Sequence, residues 1–250
     1  MFIAFHLFSW LTNFFTLRNI MQWSSKWNNT GLIYFAEHQP EKVVYLTIDD
    51  FPSLDSKISD RLLNKLSSYN VKATFFVVQY NLKQDEHNSH LFEKLLRQGH
   101  ELGNHYDIDS PATGLDEKEF EQYLIGTERW IQQFDPDFAE KVPKFFRPPS
   151  GKSNEIMSRV LQRNDYLNIL GDIYTLDANY DKAPEKHADL IVGNVEKGSI
   201  IILHTPEEDK RQKTFDILDS IIPRIRAKGF RFELLSQYFR DETFLDKMDL

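Results

Sequence analysis

The chain has 250 residues, 41% of them hydrophobic and 27% charged, which suits one large single-core globular domain. A net charge of −8 argues against a phosphate-backbone ligand, so no nucleic-acid partner is expected. With no cysteine, disulfides, thiolate-held zinc and thiol nucleophiles are excluded, and the redox compartment stays open.

Residues 1–17, MFIAFHLFSWLTNFFTL, are apolar and bulky but interrupted by His6, Ser9 and Asn13, a poor fit to a membrane span. No Lys or Arg precedes the run, and no small-residue cleavage site follows it, so a secretory signal fits poorly. The segment 1–35 reads as a helix packed on the domain, with a signal or membrane anchor as the lesser alternative. A single catalytic-size domain, 36–250, follows. Strands are expected over 43–48, 73–78, 144–147, 167–171, 199–203 and 230–233. Helices are expected over 55–69, 90–98, 116–134, 154–164, 184–196, 210–228 and 234–241. The strands 73–78 and 199–203 are near-continuous apolar or β-branched runs, which suits a parallel sheet buried on both faces. Strand–helix alternation predicts a parallel α/β fold, a barrel or an open sheet, with reactive groups at the C-terminal strand ends. The basic stretch Arg224, Arg226, Lys228 reads as a solvated helix face. Twenty Phe and ten Tyr are mostly core, but exposed rings would stack on sugars.

Chemistry-bearing residues fall at those strand ends. Asp49-Asp50 close the first strand, and two like charges in one pocket call for a cation, a proton or an arginine nearby. Taken alone, an Asp pair before proline is a common turn former. His105 and Asp109 are four apart, a usable metal pair if they share a helical face. Arg147-Pro148-Pro149 holds an arginine on a rigid segment, suited to carboxylate pairing. Asp172 and Asp177 follow the 167–171 strand, and His204 ends the 199–203 strand. Each has a bland structural reading; their ordered placement at five strand ends is the stronger signal.

In order and spacing these segments resemble the NodB-homology polysaccharide deacetylases, carbohydrate esterase family 4. Thr47-Ile48-Asp49-Asp50-Phe51-Pro52 is similar to that family's T-F-D-D-G-P, and Lys72–Val77 to its KATFFV segment. Gly99–His105 is similar to GHELGNH, Arg147–Gly151 to R-P-P-[YF]-G, and Leu203-His204 to the final Leu-His. The resemblance implies a distorted (β/α) barrel and a metal-dependent hydrolase that removes N-acetyl groups from N-acetylglucosamine-containing glycans of the chitin or peptidoglycan type. It implies Asp49 as general base, Asp50 and His105 as metal ligands, and Arg147 as the partner of the base. His204 becomes the general acid and Asp177 the acid that orients it. Ile202 and Leu203 become the wall for the acetyl methyl, and the Ser150 backbone N–H an oxyanion donor. One divalent metal is implied, zinc first, to activate water and polarise the carbonyl. A secreted or cell-envelope setting is implied by the resemblance alone.

Four departures surround this pocket. Asp109 stands where the family has its second ligand histidine; an aspartate can ligate zinc but shifts the site toward Mn, Co or Fe. Phe51 replaces a glycine and is expected to narrow the groove. Ser150 replaces an aromatic residue, and Ala178 a tryptophan. Two alternatives follow: an inactive or metal-free barrel that binds glycan or a partner, and a hydrolase of another amide or acetyl ester.

Overall fold

The structure, a computed structural model, describes residues 17–81, 86–107, 110–175, 183–207 and 212–241. Its strands are β1 (Leu32–Ile33), β2 (Val43–Phe51), β3 (Thr74–Val77), β4 (Glu101–Asn104), β5 (Lys144–Phe146), β6 (Tyr166–Ile169), β7 (Ile173–Tyr174), β8 (Ser199–His204) and β9 (Arg231–Glu233). Its helices are α1 (Leu17–Trp27), α2 (Ser56–Ser68), α3 (Glu86–Arg97), α4 (Glu117–Ile131), α5 (Glu155–Arg163), α6 (Pro184–Asn194), α7 (Thr214–Ala227) and the single turn α8 (Ser236–Phe239). Every strand and helix expected from residue 43 onward forms, with ends shifted by at most four residues. The strands β1, β4 and β7 are additional; α1 lies within the segment 1–35 read as a packed helix, of which residues 1–16 lie outside the described residues. No described helix is long and apolar enough to cross a membrane.

All ladders are parallel, in the order β1-β6-β5-β4-β3-β2-β8-β7, with β9 also pairing β2. The strands β6 and β7 stand near opposite ends of that order, yet only residues 170–172 separate them. So short a link forces the sheet to curl into a barrel. Gly171 sits at the crossing with φ +126, and a Cβ there would lie 2.8 Å from the Ile202 side chain and 2.9 Å from the Ile200 carbonyl. Only glycine combines that conformation with that close approach. Asp172 follows, accepting from the Ile200 N–H at 2.8 Å and the Ser199 hydroxyl at 3.1 Å. Arg18 of α1 pairs with the same carboxylate at 2.5 Å. Asp172 therefore fastens the seam rather than serving chemistry.

Alternation along the strands splits the core in two. Val43, Tyr45, Phe76, Phe145, Leu167, Ile169 and Ile200 fill the barrel. Val44, Leu46, Ile48, Phe75, Val77, Ile201 and Leu203 face outward under the helices, against residues such as Leu62, Phe92, Leu124, Val160 and Ile221. Side-chain caps fix where helices begin. Asp55 accepts from Lys57 N–H, Asp116 and Glu119 form a reciprocal capping box, and Asn154 accepts from Met157 N–H.

Candidate active site

At the top of β2, Asp49 lies in register with His204 of β8. The strand does not end there but continues to Phe51 through a register shift, with Asp50 at φ 59. This break in the alternation brings both carboxylates to one side. His105 Nε2 lies 3.9 Å from Asp49 and 3.5 Å from Asp50. Thr205, just past β8, donates its N–H and its hydroxyl to the Asp49 carbonyl, both at 2.8 Å. Neither Thr205 nor its role was legible in the sequence.

Arg147 follows β5 and points into the barrel, 1% exposed. Its Nη1 donates to Asp49 Oδ1 at 2.6 Å and to the Thr47 hydroxyl at 2.7 Å, and its Nε to the Ile169 carbonyl at 3.2 Å. Its guanidinium lies 4.1 Å over the Phe76 ring. Burial pushes the Arg147 pKa down and Asp49 opposes the shift; an arginine so held stays charged. Breaking such a buried pair by removing one partner costs about 3–5 kcal/mol.

His105 follows β4, and its Nδ1 meets the Arg147 carbonyl at 2.8 Å. A carbonyl only accepts, so Nδ1 carries a proton, and Nε2 is the ring nitrogen turned toward Asp49 and Asp50. Two buried carboxylates beside that nitrogen call for positive charge, either a proton on Nε2 or a cation between the groups. The 3.5 Å separation from Asp50 is close to the distance of about 3.4 Å spanned by two metal bonds of about 2.1 Å at a tetrahedral angle. The donor pair thus fits a divalent cation. Among the described residues no three His, Asp or Glu side chains form a complete ligand set. Asp109 and Asp177 lie outside the described residues.

The polysaccharide deacetylase profile matches residues 36–169, more than half of the chain. The chain belongs to the polysaccharide deacetylase family. A peptidoglycan-N-acetylglucosamine deacetylase of Bacillus cereus is 30% identical over 197 residues, covering 79% of this chain and 68% of the relative. The crystal structure of a peptidoglycan N-acetylglucosamine deacetylase superposes with a TM-score of 0.75 at 27% identity, covering 87% of this chain and 97% of the other. An acetyl xylan esterase from Clostridium thermocellum, solved with a cobalt ion, gives a TM-score of 0.69 at 31% identity, covering 80% and 91%.

The family pattern meets this chain unevenly. Phe51 does not narrow the groove: it is fully buried, edge-on to Phe75 and Phe92 with centroids at 4.8 and 5.5 Å. The bulge at Asp50 turns the next side chain into the outer core. Of the two residues expected to wall the acetyl group, Leu203 packs in the outer core, while Ile202 shares the face of His204. Ser150 is exposed, with φ 56 and ψ 16, between Pro149 and Gly151. Glu207, three residues past His204, accepts from the Ser53 hydroxyl at 2.8 Å and the Leu54 N–H at 3.2 Å, tying the loop after β2 to the loop after β8.

Proposed function

We propose that this chain hydrolyses the N-acetyl groups of N-acetylglucosamine-containing glycans of the peptidoglycan or chitin type, using Asp49 as base and His204 as acid. The observation that carries the reading is His105, whose Nδ1 is taken by the Arg147 carbonyl while its Nε2 lies 3.9 and 3.5 Å from two buried carboxylates. Asp50 and His105 would hold one divalent ion, zinc first and Mn, Co or Fe otherwise, with Asp109 as third ligand; such an ion polarises the acetyl carbonyl and acidifies a water.

The chain's own residues divide the remaining work. Arg147 engages Asp49 through Oδ1, leaving Oδ2 on the His105 side to take the water proton. Thr205 anchors the Asp49 backbone, so the base cannot swing with its loop. The Ser150 N–H stabilises the oxyanion and Ile202 receives the methyl. As the C–N bond breaks, His204, oriented by Asp177, protonates the departing amine. The net change is amide plus water to acetate plus amine.

Elemental mass spectrometry of protein purified without chelators tests the metal. Near one divalent ion per chain, lost in Asp50→Ala, supports the reading; none after incubation with excess Zn, Mn or Co refutes it and favours a binding barrel. Asp49→Asn and His204→Ala lower acetate release by about 10²–10⁴-fold with the fold retained, and full activity in either sinks the role assigned. The likeness to an acetyl xylan esterase favours a second reading, O-acetyl esters as substrate. A panel of chitin oligomers, peptidoglycan fragments and acetylated xylan separates the two.

A further inference from the structure

The wall beside His204 carries an exposed aromatic ring that none of the assigned roles uses. Tyr174 ends β7, in register with Ile202 of β8. Its neighbour Ile173 is buried in the outer core, so Tyr174 faces the other side of the sheet, with Ile202 and His204. Its ring lies edge-on to the His204 imidazole, centroids 6.1 Å apart at 66°. Although it sits against a buried strand, the residue is 44% exposed. An acid that delivers a proton to a sugar-bound nitrogen has a pyranose ring next to it during the reaction. The apolar C–H face of a pyranose is complementary to an aromatic face, and Tyr offers that face at low entropy cost.

From this juxtaposition, and resting on the reaction proposed above, we propose that Tyr174 is a stacking platform for a sugar ring of the glycan, and so a residue that sets selectivity for saccharides over small acetyl compounds. The ring, not the hydroxyl, supplies the contact. Tyr174 positions the substrate beside His204 and takes no proton.

The test compares Tyr174→Ala, Tyr174→Phe and, as a distant exposed aromatic, Trp27→Ala, which is 74% exposed on α1 in the wild type. Steady-state acetate release is followed on chitopentaose and on 4-nitrophenyl acetate, with thermal midpoints recorded for each variant. Tyr174→Ala raises KM for the pentamer about tenfold with kcat changed less than about threefold, and the ester loses markedly less in kcat/KM. Tyr174→Phe and Trp27→Ala keep the wild-type KM for the pentamer. An unchanged KM in Tyr174→Ala, or equal losses on both substrates, overturns the proposal. Calorimetric titration with chitopentaose separates this from the reaction itself. If the wild type releases no acetate but binds the pentamer about tenfold more tightly than Tyr174→Ala, the deacetylase reading fails and the platform stands. Equal affinities, or no binding, overturn the platform.

Discussion

His100 and His105 bracket the same short strand, β4, and their ring nitrogens are used in opposite senses. At the entry, His100 Nδ1 accepts from the Ala73 N–H at 3.0 Å, and its ring meets the Phe75 edge with centroids at 5.2 Å. Burial first, then Lys72, lowers its pKa to about 4. It is a neutral, structural imidazole whose proton sits on Nε2. At the exit, His105 Nδ1 donates to a carbonyl instead, which leaves Nε2 as the nitrogen turned toward the carboxylates. The same side chain is made inert or ready by which backbone group it meets, and that group is set by its place along β4.

The contrast can be broken most sharply at the exit. His105→Ala lowers acetate release at least about a hundredfold and removes the bound metal, measured by elemental mass spectrometry, while circular dichroism shows the fold retained. A retained metal would end the distinction. Acid unfolding probes the entry. The folded pKa of His100, about 4, lies below the ordinary 6.5, so between those values the unfolded chain binds a proton that the folded chain refuses. Stability from this residue is full above pH 6.5 and falls as pH drops toward 4, by about 3 kcal/mol in total. Urea unfolding at stepped pH measures it, and His100→Leu flattens that slope. The smallest effect is at neutral pH, where His100→Leu orphans the Ala73 N–H and costs about 1–3 kcal/mol with kcat within about twofold. A large fall in kcat there would give His100 a part in the reaction.

Much of this was legible in the sequence because strand ends are. Asp49, Arg147 and His204 each close an apolar run, and the barrel brings such ends together. Three strands were not legible, for physical reasons: β1 and β7 are two residues each, and β4 reads Glu-Leu-Gly-Asn, with no apolar run to see. Its polar residues are satisfied internally, Glu101 accepting from the Thr74 hydroxyl at 2.6 Å and Asn104 donating to the Leu124 carbonyl at 3.0 Å. Leu203 was readable in principle, since a residue next to His204 on a strand must face away from it. Phe51 was not, because the positive φ of Asp50 that turns it inward leaves no mark in the residue types. Asp172 looked like its neighbour Asp177, and only a partner 154 positions earlier, Arg18, reveals its role.

That partner makes the N-terminal arm a clasp. Burial raises the Asp172 pKa and Arg18 is the first opposing influence. Arg18 also reaches the Ser199 hydroxyl at 2.6 Å and the Lys197 carbonyl at 3.0 Å, and Leu32–Ile33 edge the sheet on β6. A chain trimmed to begin at residue 36 would keep every catalytic candidate and lose both the pin and the edge strand. It would leave a buried carboxylate at the weld of the barrel without its counterion, an uncompensated charge worth about 3–5 kcal/mol. The boundary of the folding unit thus lies upstream of the boundary of the chemistry.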